Sequence, residues 1–153
     1  MPLSFEEFNP ATDDSEYLKL MDDNLRVIRG SFVHFFLGRG EKKRLQKFLA
    51  ESALLTIRVN GELAGFIAYT LSKDGSMAFI ERFNLKTGLR GQGFGTRALE
   101  FVEAEAKGLG CSRLELAVYA SNPALRLYQR FGFKKEKLYR GVCWWIFSMK
   151  KDI

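Results

Sequence analysis

The run Arg90-Gly91-Gln92-Gly93-Phe94-Gly95-Thr96 is where this sequence is best equipped for chemistry. It joins a segment that reads as a strand (77–85) to one with helical spacing (91–107), in which Phe94, Ala98, Phe101 and Val102 share a face. Glycines at a strand-to-helix turn let the backbone come close to a ligand, and the start of a helix points unpaired N–H groups outward. Together they form an anion site best suited to phosphate. Arg90 adds a planar cationic fork. From Arg82 to Arg97 there are four bases and no acid, which matches a polyanionic ligand.

Spacing separates this loop from two common phosphate binders. A nucleoside-triphosphate loop needs Gly-x4-Gly-Lys-Ser/Thr; Gly88 and Gly93 have that separation, but Phe94 and Gly95 follow and the lysine is absent. A dinucleotide fingerprint needs a third glycine where Thr96 stands. Glu115 lies about where the ribose-binding acid of that motif would be, but it is discounted without the third glycine. Three or four strands also precede the loop, whereas a dinucleotide unit should begin its sheet with the strand before it.

The elements that must hold this loop change character along the chain. A short strand is expected near 4–8, then helices at 15–28 and 32–49, the second with a basic face. Strands at 54–59 and 63–71 meet at Asn60-Gly61, a strong hairpin signal, and a turn at Lys73-Asp74-Gly75 leads into 77–85. This first half is antiparallel in character. Gly108 and Gly110 close the helix 91–107, a strand follows at 114–119, and a second helix spans 123–131 with Pro123 at its first position after Ser121 or Asn122 as cap. Strands at 133–138 and 142–149 end the sequence. The strand–helix–strand passage from 77 to 119 requires a crossover, so those two strands are expected to be parallel. The fold class is α/β, mixed around one sheet of about seven strands with four helices.

Composition fits one domain spanning 1–153, since 153 residues with 46% hydrophobic content can bury a core. No apolar run approaches membrane-spanning length, and the first residues do not read as a signal peptide, so a soluble, cytoplasmic protein without a membrane role is expected. Cys111 and Cys143 have no metal-ligand spacing, and no metal site is expected. The net charge of +6 is unevenly divided: residues 1–25 hold seven acids against Lys19 alone, a net −6, leaving +12 for the remainder. That division suggests an anionic ligand for one part and a cationic one for the other.

The spacing Arg-x-x-Gly-x-Gly resembles that of the GNAT superfamily of N-acetyltransferases. Leu85 lies five residues before Arg90, where that family places an apolar residue at the end of its fourth strand. The run from Asn122 through Pro123, Ala124, Leu125, Arg126, Leu127, Tyr128, Gln129, Arg130, Phe131 and Gly132 to Phe133 resembles its later motif, Asn-x-x-Ala-x-x-Leu-Tyr-x-x-x-Gly-Phe. The resemblance is specific from about 77 to 134 and architectural before that. It implies an enzyme that transfers an acetyl group from acetyl-CoA, as co-substrate, to a primary amine by direct attack. The pyrophosphate would be held by Arg90 and the backbone N–H groups of Gly91, Gln92, Gly93, Phe94, Gly95 and Thr96. The fourth and fifth strands would splay, with main-chain groups at Phe83 and Leu85 pairing with the pantetheine arm and one N–H polarising the thioester carbonyl. Asn122 would contact the cofactor arm as well as cap a helix.

The same resemblance points to Tyr128 as the acid that protonates the departing thiolate. Its alternative role is packing with Leu127 and Phe131. Glu81 is the only acid on strand 77–85 and shares a face with Phe83 and Leu85, which makes it the candidate general base; a surface carboxylate paired with an arginine is the competing reading. Some related enzymes carry a glutamate on the next strand, where this sequence has Ala117, and Glu115 is a weak candidate on that face. His34 reads as a packing or surface histidine. The acids Asp13, Asp14, Asp22 and Asp23 with Phe32, Phe35 and Phe36 fall where the family covers its acceptor, so a cationic amine such as a polyamine, aminated metabolite or basic peptide terminus is expected. Trp144 and Trp145 point to opposite faces of the last strand, and one of them could serve an interface such as a homodimer. Two other readings compete: an acyl-CoA-binding regulatory module without turnover, and a basic nucleic-acid-binding domain. Against the latter, the basic residues gather at a glycine loop and no recognition motif is present.

Overall fold

A computed structural model describes residues 1–9, 15–17, 19–20, 52–142 and 144–153. Among these residues the chain forms β1 (Leu3–Glu7), β2 (Ala53–Val59), β3 (Glu62–Leu71), β4 (Met77–Leu85), a 3-10 turn (Thr87–Leu89), α1 (Phe94–Gly108), β5 (Arg113–Tyr119), α2 (Leu125–Arg130), β6 (Lys134–Arg140) and β7 (Trp145–Asp152). The strands hydrogen-bond in the order β1-β2-β3-β4-β5-β7-β6. β1 and β2 are antiparallel, β4 and β5 parallel, and β7 runs antiparallel to both β5 and β6. This is the mixed α/β sheet that the sequence leads one to expect. Residues 15–17, 19 and 20 are helical. The rest of the two expected early helices, with His34, the aspartates 13, 14, 22 and 23 and the Phe32–Phe36 cluster, lies outside the described residues, as does Cys143.

The chain divides into two compact units, Met1–Ala68 with Arg82–Arg90, and Tyr69–Glu81 with Gly91–Ile153. In the first, β2 turns into β3 through Asn60 and Gly61, both at positive φ (54° and 81°), which is the left-handed pairing a two-residue hairpin needs. β3 is buried without interruption from Leu63 to Tyr69, as befits a central strand covered on both faces. Its core brings together Tyr17, Leu20, Leu54, Leu63, Phe66 and Ala68, with Phe8 packed against them. Tyr17 meets Phe66 edge-on at 4.4 Å, and Phe8 meets both rings edge-on at 5.7 Å. Gly65 allows a close approach here: a Cβ at that position would stand 2.1 Å from the Asn84 carbonyl oxygen, so any side chain would displace the end of β4.

In the second unit, α1 buries Phe94, Ala98, Leu99, Val102 and Ala106 along a stripe at helical spacing. The expected face held Phe101 in place of Leu99; Phe101 is only half-buried. The helix also starts at Phe94, three residues later than the spacing suggests, because Gly91 and Gly93 have φ of 76° and 83° and cannot be helical. The last two strands start later than expected. Gly141 N–H donates to the Trp144 carbonyl at 2.7 Å, closing a turn that the apolar Val142 had suggested was strand. Trp144 therefore stands in the turn rather than in β7, with its indole over the bare α-carbon of Gly141.

Candidate functional site

The Gly91–Thr96 run sits at the entry to α1. Left-handed Gly91 and Gly93 turn the chain from the extended Arg90 (φ −72°, ψ 152°) into the helix, and a Cβ at either glycine would meet nothing within 4 Å. Glycine is required there by backbone conformation, and the space beside the turn is open. Gly93 is the N-cap, and its carbonyl accepts the first helical hydrogen bond, from Arg97 N–H at 3.1 Å. By helical geometry the N–H groups of Phe94, Gly95 and Thr96 then have no acceptor within the helix. No acidic side chain stands in this first turn, so nothing within it opposes an anion.

Ahead of the loop, within the first unit, Arg90 reaches back so that its guanidinium donates to the Leu85 carbonyl over 3.4 Å. The end of β4 is held by the Lys86 N–H, which donates to the Ala64 carbonyl at 2.9 Å. Phe83 and Leu85 are half-buried, as is Glu81 before them, while Ala78, Ile80 and Asn84 on the other face are buried. The alternation expected from the sequence holds along this strand except at Arg82, which is exposed although it shares the face of Ala78, Ile80 and Asn84.

In the second unit the parallel register runs from Met77↔Arg113 to Ile80↔Leu116, the first half of each strand. Glu81 follows directly, and its carboxylate accepts a hydrogen bond from the Thr70 hydroxyl at 3.1 Å. Glu115, set opposite Phe79 in that register, is occupied by Arg113 at 2.8 Å, which makes it a structural ion pair. Asn122 forms the turn ahead of α2 and does not cap it. The helix starts at Leu125 after Ala124 as N-cap, two residues later than the expected Pro123. The reason is that the Asn122 side-chain oxygen accepts from Ala124 N–H at 2.9 Å and its carbonyl from Leu125 N–H at 3.0 Å, closing a separate turn. Tyr128 is only 6% exposed, with its ring edge-on to Phe133 at 5.9 Å. Burial pushes its phenol well above the ordinary value, so it stays protonated.

The sequence pattern of the acetyltransferase (GNAT) family matches residues 17–133, which include the glycine loop, Glu81, Asn122 and Tyr128. The chain belongs to this family. Among characterised GNAT proteins, it is similar to the spermine/spermidine N(1)-acetyltransferase of Bacillus subtilis, with 34% identity over 83 residues that cover 48% of this chain and 54% of that one. The matched stretch thus spans about half the length of that relative. The crystal structure of the PaiA N-acetyltransferase of Thermoplasma acidophilum in complex with coenzyme A superimposes over 100% of both chains, with a TM-score of 0.81 and 17% identity. That of the ribosomal-protein-S18-alanine N-acetyltransferase of Escherichia coli covers 99% of this chain and 94% of its own, with a TM-score of 0.75 and 19% identity. These likenesses show that the GNAT fold is shared.

Two features of the site escape sequence reasoning. Gly65 carries no motif, and its role depends on Asn84, 19 positions away, being laid against it. The Asn84 amide nitrogen is buried without a hydrogen-bond partner among the described residues. A short polar residue between the apolar Phe83 and Leu85 is the one signal that could have drawn attention to it.

Proposed function

We propose that residues 1–153 work as a single acetyl-CoA-dependent N-acetyltransferase domain acting on a primary amine, with a polyamine as the acceptor class. The observation that carries this reading is the Arg90–Thr96 turn: two left-handed glycines open onto a helix start whose first N–H groups lack helical acceptors and face no acid in that turn. That arrangement fits a pyrophosphate. Arg90 and the backbone of Gly91, Gln92, Gly93, Phe94, Gly95 and Thr96 would hold it. Main-chain groups at Phe83 and Leu85, with Asn122, would hold the arm, a role supported by the β4–β5 register ending at Ile80↔Leu116.

Acetyl-CoA supplies the acyl group and a thiolate leaving group. The chain's part is to manage protons. Glu81 takes a proton from the incoming ammonium, directly or through water, so that the amine nitrogen can bond to the carbonyl carbon. As the C–S bond breaks, Tyr128 donates a hydrogen bond to the sulfur. A phenol held above its ordinary pKa is a weaker acid than a thiol near 8.5, so full transfer to a free thiolate runs uphill. Tyr128 therefore passes its proton only as the attacking nitrogen gives one up, and it ends the cycle neutral. Of the three ammonium protons, one stays on the amide, one reaches the sulfur by way of Tyr128, and the one that Glu81 took is released to water, which restores the carboxylate.

Support for a cationic acceptor comes from the seven acids of residues 1–25 and from the polyamine activity in the name of the Bacillus relative. Thioester consumption, corrected for hydrolysis, measured across polyamines, amino acids, aminoglycosides and peptides tests the reading. Spermidine and spermine are expected to turn over fastest, with a KM that rises with ionic strength. Coenzyme A binding with no turnover on any amine would leave an acyl-CoA-binding module instead. A preferred acceptor that is neutral, with a salt-independent KM, would remove the polyamine assignment.

A further inference from the structure

The C-terminal strand holds a lysine that the proposed chemistry does not use. The Lys151 ammonium forms an ion pair with the Glu103 carboxylate in the middle of α1, and Glu103 also receives Lys107 from the next helical turn at 2.8 Å. Both partners are largely shielded, with side-chain exposures of 21% and 17%. The same ammonium lies 4.0 Å from the centre of the Phe131 ring, at the end of α2. Its methylene stem runs across Gly132, where a Cβ would stand 3.3 Å from the lysine Cε.

These contacts give the Gly132-Phe133 pair a local reason. Gly132 has φ of 103°, and the space beside its α-carbon is taken by the lysine stem. Phe133 then returns to α2 twice: its N–H donates to the Tyr128 carbonyl at 3.0 Å, and its ring meets the Tyr128 ring edge-on. Phe131 stacks on Phe133 at 6.3 Å. One half-buried cation thus ties α1, whose first turn carries the glycine loop, to the turn that fixes Tyr128. An ammonium shared between a carboxylate and a ring in a shielded place is harder to displace than an exposed pair.

We propose that Lys151 is a positioning residue for Tyr128, holding the last turn of α2 through Phe131 and Gly132 while Glu103 anchors it to α1. The proposal rests on the reading of Tyr128 as the group that serves the sulfur. Burial pushes the Glu103 carboxyl up, but hydrogen bonds and charge from Lys107 and Lys151 outweigh it and hold the carboxyl below its ordinary value.

The test uses the whole protein, acetyl-CoA and spermidine. Lys151→Met keeps the stem over Gly132 and removes the charge; it should lower kcat about tenfold with little change in KM for acetyl-CoA, since a small displacement of a reacting group is costly. Lys151→Arg, which can reach both the carboxylate and the ring, should restore most of the rate. In a Tyr128→Phe background, Lys151→Met should add less than about twofold, because the two changes act on one step. A second variant, Phe131→Leu, removes the ring but leaves the ion pair, and should act in the same direction should Lys151→Met fold poorly. In protein carrying 13C-labelled tyrosine, the Tyr128 ring resonance should move in Lys151→Met and return in Lys151→Arg.

Full turnover in Lys151→Met alongside a large loss in Tyr128→Phe overturns the positioning role and leaves the role of Tyr128 intact. Equal losses from Lys151→Met with and without Tyr128 also overturn it. Full turnover in Tyr128→Phe overturns the role of Tyr128 instead. The labelled resonance then decides whether Lys151 positions the ring: unmoved, it refutes the proposal; displaced and restored by arginine, it upholds it.

Discussion

Each compact unit of this protein holds a buried tyrosine in an aromatic cluster, and the two tyrosines are built differently. Tyr17 packs against Phe8 and Phe66, rings drawn from elements far apart in sequence, and its hydroxyl has no partner among the described residues. Tyr128 packs against Phe133, five residues on in the same motif, with Phe131 stacked on Phe133. Burial raises both phenols, Tyr17 to about 12 with Arg82 pulling slightly the other way. A shifted phenol is therefore no marker of chemistry by itself, because desolvation alone produces it. What distinguishes Tyr128 is its place in a turn that begins at Asn122 and returns through Phe133. Tyr17 is a core residue whose oxygen has no partner among the described residues.

The largest expected effect tests the first cluster. Phe66→Ala, which removes a fully buried ring, should cost about 3–5 kcal/mol of stability in urea denaturation. A loss under about 1 kcal/mol would mean that this cluster is not a core and that Tyr17 is not held by packing.

The phenols themselves provide the next contrast. Tyr128→Phe should lower kcat about a hundredfold with little change in melting temperature or in acetyl-CoA affinity. Tyr17→Phe should leave kcat alone and raise stability by up to about 1 kcal/mol, since it deletes a buried hydroxyl that has no partner among the described residues. The opposite pairing of outcomes would transfer the chemical role to Tyr17. Because Tyr128 is raised above its ordinary range, its ionisation should produce no alkaline fall in rate near pH 10.

The smallest effect concerns a carboxyl shifted by hydrogen bonds instead of burial. Asp74 accepts from the Ser72 hydroxyl at 2.5 Å, the Ser76 N–H at 3.0 Å and the Ser76 hydroxyl at 2.9 Å, which together hold it at about 2. A carboxyl depressed on folding stabilises the protein above its unfolded value near 3.8 and loses that contribution as pH falls toward 2. Asp74→Asn should therefore flatten the decline in melting temperature between about pH 4 and pH 2. An unchanged acid profile would show that the turn does not depend on this charge.

Much of the fold was legible because its signals are local. The Asn60-Gly61 hairpin, the glycine turn before α1 and the Asn122 turn are each specified by residues within a few positions of one another. The helix start was misjudged by three residues because helical spacing in side chains does not reveal that Gly91 and Gly93 are left-handed. The final strands were misplaced because an apolar Val142 and two tryptophans look like strand, whereas the Gly141–Trp144 hydrogen bond makes them a turn and the strand's first residue. Glu115 already ranks below Glu81 by its position in the sequence, and its ion pair with Arg113 adds a structural role that spacing does not reveal.

By itself, the sequence determined the mixed α/β class, the glycine turn ahead of α1 and the family resemblance. These depend on short-range spacing, and backbone geometry turns short-range spacing into structure almost directly. Only the tertiary structure decided that Gly65 must be bare against Asn84, that Tyr17 is buried against Phe8 and Phe66, and that Lys151 reaches Glu103 across 48 positions. Such contacts form between residues whose separation along the chain carries no information about their meeting. Their energies come from packing and desolvation, which exist only once the elements have come together.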